Sequence, residues 1–193
     1  MNETPTALLA AARRCIGRRG LAGTTSRDIA AEAGANLASI TYHFGSKDEL
    51  VARALLDGLR EWLAPALAVL GGAGDPAVRT VAGVQALLAT YEAHADDAAA
   101  YLQALAHASQ SPELRSGVVE LWRELRQLLA ADVRAMQDAG TVGAWADPDA
   151  MAAVIVAVAN GLVLQVTVDP DGPSIEAMAA QFAALLLAAR HPA

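Results

Sequence analysis

The sequence is poor in the residues that build sheets, cross-links and most active sites. Aromatic residues make up 4% of its 193 positions and β-branched residues are sparse, which removes the usual material of a strand. A single cysteine, Cys15, excludes an intrachain disulfide and suggests no redox framework. It falls at an apolar position of the first expected helix, where a small buried side chain is its expected role. No nucleophile–base pair, carboxylate dyad or phosphate-cradling loop stands at a useful spacing, so the chain does not read as an enzyme. Neither a metal nor another cofactor is expected. His94, Asp96 and Asp97 are close in sequence but lack a helical i, i+4 histidine pair, and a solvated turn accounts for them. No signal peptide is expected, because the N-terminus is polar and Arg13-Arg14 interrupt the first apolar run. The expected location is therefore cytoplasmic.

What is present points to helices. Hydrophobic residues make up 54% of the chain and its mean hydropathy is +0.31, which argues for a well-buried core. Much of that fraction is alanine, a strong helix former. One stretch, Ala150 to Val168, runs 19 residues without a formal charge, near the length that crosses a bilayer. Asn160, Gln165 and Thr167 interrupt it, and Asp147, Asp149, Asp169 and Asp171 flank it with no basic anchor. It reads as a helix buried in protein on nearly all sides.

The net charge of −7 looks wrong for a nucleic-acid binder until it is divided. Up to Lys47 there are six basic residues (Arg13, Arg14, Arg18, Arg19, Arg27 and Lys47) against three acidic ones. The acidic excess lies in the rest of the chain. A modest basic balance beside a small helical module supports phosphate contact there.

The spacing predicts nine helices and no strand. The first runs Thr4 to Arg19, with Leu8, Leu9, Ala12, Cys15 and Ile16 on its apolar side and Arg18-Arg19 suiting its C-terminal dipole. Thr25 with Asp28 approximates a capping box for the second, and Gly34 supplies its left-handed end. Asn36 caps a short third helix, Leu37 to Phe44, closed by Gly45. Ser46, with Glu49 three residues on, starts a long fourth helix that continues past Pro65, with a kink, towards Leu70. Asp75-Pro76, Ser111-Pro112 and Asp147-Pro148 are cap-plus-proline starts for later helices. Another begins at Asp96-Asp97, and the last carries Ile175, Met178, Phe182, Leu185 and Leu186 on one face.

The second and third helices around Gly34 have the helix-turn-helix layout, whose second helix enters the DNA major groove. On spacing alone an ordinary helical hairpin fits equally well. The wording narrows this. A basic first helix, then Thr-Thr-x-x-Asp-Ile-Ala-x-x-Ala-Gly and Tyr-His-Phe-Gly-Ser-Lys-x-x-Leu, resembles the DNA-binding domain of TetR-type transcriptional regulators over roughly residues 5–55. Ala35 and Thr41 depart from the residues usual there, a valine and a tyrosine. The resemblance implies that Thr25, Tyr42, His43 and Lys47 hold DNA phosphates. Such donors position a backbone without reading sequence. A solvated surface role for Lys47 and packing of His43 against Phe44 are the plain alternatives. Base reading falls to Asn36, Leu37, Ala38, Ser39 and Thr41, short side chains suited to thymine methyls and hydroxyl contacts. Ile40 and Phe44 are expected in the core of the module.

The sequence therefore predicts an all-α, nine-helix protein, with a helix-turn-helix DNA-binding domain over residues 1–47 and a helical effector-binding and dimerisation domain over 48–193. An effector pocket is expected among the fourth to eighth helices, lined by Tyr91, Tyr101, His107, Trp122, Met136 and Met151, each of which also reads as plain core. Val158, Leu162, Gln165, Met178, Phe182 and Leu185 are expected to pair across a two-fold axis into a four-helix bundle, unless they bury against their own subunit. A homodimer would set two recognition helices about 34 Å apart on palindromic double-stranded DNA. The functional reading is a ligand-responsive regulator, a repressor released by a small apolar effector. A small all-α enzyme or a helical adaptor using the C-terminal pocket is the rival.

Overall fold

The computed structural model describes residues 5–93 and 95–188, without the side chains of residues 92, 95–97, 99, 186 and 187. Thr4, His94 and the side chains of Asp96, Asp97 and Leu186 thus lie outside the described residues. Among those described there are nine helices and no strand: α1 (Pro5–Arg19), α2 (Ser26–Ala33), α3 (Leu37–Phe44), α4 (Lys47–Leu70), α5 (Pro76–Ala93), α6 (Ala95–Ala108), α7 (Pro112–Asp138), α8 (Pro148–Val168) and α9 (Ile175–Ala188). By packing they fall into two compact units. One comprises the described residues up to Glu61 with Ala95–Val119; the other holds those from Trp62 to the end of α5 and from Glu120 onward.

The local signals act where the sequence puts them. The Asp28 N–H donates to Thr25 Oγ1 (3.2 Å) and the Thr25 N–H donates back to Asp28 Oδ2 (3.0 Å), closing a reciprocal capping box. Gly34 ends α2 at φ 62°, a conformation that a Cβ would strain. Asn36 Oδ1 accepts the Ala38 N–H at 2.9 Å and starts α3. Ser46 Oγ accepts the Glu49 N–H, and α4 runs through Pro65 as one helix. Asp75, Ser111 and Asp147 each accept N–H groups of the helix they precede.

In the first unit, Leu8, Ile16, Ile29 and Leu50 are fully buried, with Cys15, Ile40 and Leu114 beside them in the buried set. Burial pushes the Cys15 thiol above its usual value, and the nearby Glu32 carboxylate adds to this. α6 packs on α1, and the Leu21 N–H after α1 donates to Gln103 Oε1 at 3.0 Å.

In the second unit, Leu70, Leu125, Leu129, Ala130, Ala152, Ile155 and Val156 form an apolar cluster on which Leu67, Trp122, Met151 and Phe182 pack. A Cβ on Gly83 would stand 2.8 Å from Leu70 Cγ, so this mid-helix glycine permits α5 to lie close to that buried leucine. Asp132, 1% exposed, is the one charged side chain among the described buried residues. Arg79 and Thr80 both donate to it, and Arg79 also donates to the carbonyls of Gly72 (3.1 Å) and Gly74 (3.2 Å). The turn between α4 and α5 is thereby tied to α7.

α8 corrects one expectation. It is long and apolar enough to cross a membrane on length and composition, but only 33% of its most apolar window is buried within the chain. Val154, Leu164 and Val168 are exposed, so one side of α8 faces outward instead of being enclosed on nearly all sides.

Candidate nucleic-acid interface

The candidate surface is built from α2, α3 and the start of α4. α3 is only eight residues long, so its two faces separate sharply. Leu37, Ala38, Thr41, Tyr42 and His43 point outward, and Tyr42 is 85% exposed. Ile40 is buried and Phe44 half-buried. The Tyr42 and His43 rings meet edge-on with centroids 4.8 Å apart, while His43 and Phe44 lie 6.4 Å apart.

Two expected readers are placed differently. Ser39 is 7% exposed and lies on the inner face next to Ile40, about 100° around the helix from Ala38, so it is removed from the base-reading set. Asn36 is exposed, yet its Oδ1 is already held by the Ala38 N–H as the cap of α3.

The expected phosphate holders are also engaged locally. The Thr25 hydroxyl donates to Asp28 Oδ2 at 2.6 Å, so its first duty is to cap α2. That hydroxyl bond, together with the Thr25 N–H and Arg19, holds the Asp28 carboxyl below its usual range. Lys47, the only lysine of the chain, is half-buried and donates from Nζ to the Thr24 carbonyl at 2.9 Å. An ammonium has two further N–H donors, so this bond anchors Lys47 beside the start of α2 without exhausting it.

The arginines of α1 differ most from expectation. Their positive charge is largely matched inside the unit: Arg13 pairs with Glu61, Arg19 with Asp28, and Arg14 and Arg18 share Glu32 at 2.8 and 2.6 Å. These two guanidinium groups hold the Glu32 carboxyl below its usual range. Arg27, in the first turn of α2, is exposed and has no acidic partner among the described residues. It was not singled out in the sequence, although a basic residue beside the α2 cap was visible there.

The residues expected around an effector are divided. Tyr101 and His107 belong to the first unit, where burial pushes the Tyr101 phenol well above its usual value. Tyr91, Trp122, Met136 and Met151 belong to the second, and Trp122 and Met151 pack on its apolar cluster. A cleft of about 370 Å³ opens between α5 and α9, lined in part by Val84, Leu88, Glu176 and Phe182, none of them from the expected set.

On the outer helices, Gln165 and Leu185 are exposed and Val158, Met178 and Phe182 half-buried, whereas Leu162 is buried in its own chain. Leu162 lies about 200° around α8 from Leu164, which is why Val154, Leu164 and Val168 form the outward stripe instead.

Comparisons with known proteins agree with this architecture. A family model of bacterial regulatory proteins of the TetR family matches residues 8–54, and one of the C-terminal part of BetI-type transcriptional repressors matches residues 76–191. The HTH-type transcriptional regulator BetI of Rhizobium meliloti is 31% identical over 177 residues, covering 90% of this chain and 83% of that protein. The HTH-type transcriptional regulator TtgR of Pseudomonas putida is 48% identical over 59 residues, 31% of this chain and 28% of its own. A transcriptional regulator from Saccharomonospora viridis, solved in complex with choline, superimposes with a TM-score of 0.81 at 27% identity over 96% of each chain.

Proposed function

The chain belongs to the TetR family of bacterial regulatory proteins and is a DNA-binding transcriptional regulator, and from that premise we propose that it is a homodimeric repressor released from palindromic DNA by a small effector. The supporting observation is the outward face of α3, where Leu37, Ala38, Thr41, Tyr42 and His43 stand free of the core. Leu37 and Ala38 suit thymine methyls, and Thr41 suits a hydroxyl contact to a base edge. Tyr42, His43 and Lys47 hold phosphates, and Thr25 sets the start of α2 from which its free amides meet one. In this reading residues 1–47 read DNA and residues 48–193 bind the effector and the second copy. The outward stripe of α8 and exposed Leu185 of α9 form the dimer face, with Val158, Gln165, Met178 and Phe182 at its margin.

The effector is a small molecule with apolar surface, held in the second unit near Tyr91, Trp122, Met136 and Met151. Choline, bound by the Saccharomonospora viridis relative, is the first to test, since aromatic rings attract quaternary ammonium groups. Binding that favours one of two conformations lowers DNA affinity through its differential affinity for them. Selection from a pool of random 30-base-pair duplexes, repeated with millimolar choline, tests both parts. Enriched duplexes should share an inverted repeat, bind more weakly as salt rises, and be released by choline. Failure to enrich any duplex would overturn the DNA reading; an unmoved complex would overturn choline alone.

A further inference from the structure

We propose that the cleft between α5 and α9 is a binding site for a small organic cation with an apolar chain, such as a primary alkylammonium. It is separate from the residues to which the effector is assigned above, since none of Tyr91, Trp122, Met136 and Met151 lines it. The proposal does not depend on the DNA reading.

Small side chains make the space. α5 and α9 pack against each other within the second unit. On α9, Glu176, Ala179, Ala180 and Ala183 stand three or four residues apart and share one face. Three of these are alanines, so the two helices meet through short side chains and leave a cleft of about 370 Å³. Ligand pockets run from about 300 to 1,000 Å³, and this one suits a small molecule. Val84 and Leu88 of α5 and Phe182 of α9 supply the larger apolar walls. Val84 and Phe182 also pack on the apolar cluster of the unit, which holds them in place.

The polar groups set the class of ligand. Glu176 is the one charged residue lining the cleft and Gln85 the one other with a polar side chain, and both are exposed. Glu176 is the second residue of α9, where the helix dipole favours a negative charge. The sequence around it repeats the sign: residues 62–94 and 120–193 hold eleven acidic side chains and five basic ones. Such a field draws cations towards the cleft and repels anions. A carboxylate accepts several hydrogen bonds, so an ammonium can join the interaction that Glu176 already makes within the chain. The apolar chain then lies along Val84, Leu88 and Phe182 and leaves water. A carboxylate on the same chain would meet Glu176 with like charge, and an alcohol would bring no charge to it.

The test is calorimetric titration of the full chain with hexylammonium, hexan-1-ol and hexanoate, which share one chain length and differ in charge. Hexylammonium should bind tightest, hexan-1-ol more weakly and hexanoate not at all. Glu176→Gln should weaken hexylammonium by about fivefold, the upper range for an ion pair in contact with water, and leave hexan-1-ol unchanged. Ala180→Phe and Ala89→Phe fill the cleft from opposite helices, and each should abolish hexylammonium binding. Thermal melting by circular dichroism checks that each variant folds, and two variants on different helices keep the result readable if one does not. Equal affinity for hexan-1-ol or hexanoate, an unchanged affinity in Glu176→Gln, or binding that survives a folded phenylalanine variant would overturn the proposal. So would a wild-type protein that binds no hexylammonium.

Discussion

The two units differ in how far their charges are drawn inside. In the first, carboxylates and arginines meet at the surface between α1 and its neighbours, where the paired side chains keep 24–67% exposure. In the second, Arg134 and Asp149 also pair at the surface, but one pair is drawn inside: Asp132 is 1% exposed and bound by Arg79 and Thr80, while Val154, Leu164 and Val168 leave an apolar outer stripe on α8. Exposed ion pairs contribute little to stability because water screens them. The first unit therefore holds together by capped helices, a left-handed glycine turn and a small fully buried core, and its ion pairs orient α1 against α2. The second relies on a large apolar cluster and one buried polar tie. Charge at a surface stays screened by water; charge in a core is structural.

The largest expected effect attacks the apolar face. Glutamates at Leu164 and Val168, 49% and 73% exposed, should leave the fold of one chain intact. They should convert the protein to a monomer in sedimentation and lower duplex affinity by about 100-fold or more, since two half-sites no longer bind as one. A dimer that survives both substitutions would show that the exposed apolar stripe is not the contact between copies.

Next in size is the buried tie. Asp132→Ala leaves Arg79 without its carboxylate and frees the carbonyl-bound turn at Gly72 and Gly74, at an expected loss of about 3 kcal/mol in denaturant unfolding. Glu61→Gln breaks an exposed pair with Arg13 and should change stability far less. Equal losses would erase the contrast between the units.

The same contrast explains what was legible. Thr25, Asp28, Gly34, Asn36 and Ser46 announced their helix boundaries because caps and left-handed turns act within four residues. The direction in which a helix faces needs polarity to encode it. α8 has only Asn160, Gln165 and Thr167 as polar residues beyond its first turn, too few to distinguish inward Leu162 from outward Leu164. The eight residues of α3 are too few for spacing to separate Ser39 from its outward neighbours. Partners distant in sequence left no local trace: Gln103 meets Leu21 from 82 residues away, and Arg13 meets Glu61 from 48. The recognition wording was therefore readable, whereas the internal pairing of the α1 arginines was not.

The smallest expected effect concerns the surface pairs under acid. Asp28 and Glu32 both have carboxyl groups held below their usual values, by Thr25 then Arg19 in one case and by Arg14 and Arg18 in the other. A carboxyl lowered on folding contributes stability that is fully present above its unfolded pKa and is lost as pH falls through the lowered folded value. For ordinary Asp and Glu that loss begins below about pH 4. Amide hydrogen exchange across α1 and α2 is the suitable measurement, because all three tryptophans lie in the second unit and report only there. Protection of the α1–α2 amides should fall as pH drops from about 4.5 to 3. Glu32→Gln should start with weaker protection at neutral pH and lose less on acidification, because glutamine has no proton to gain. If the variant and the wild type fall in parallel, the pairs with Arg14 and Arg18 do not hold α1 against α2, and the first unit depends on its caps and core alone.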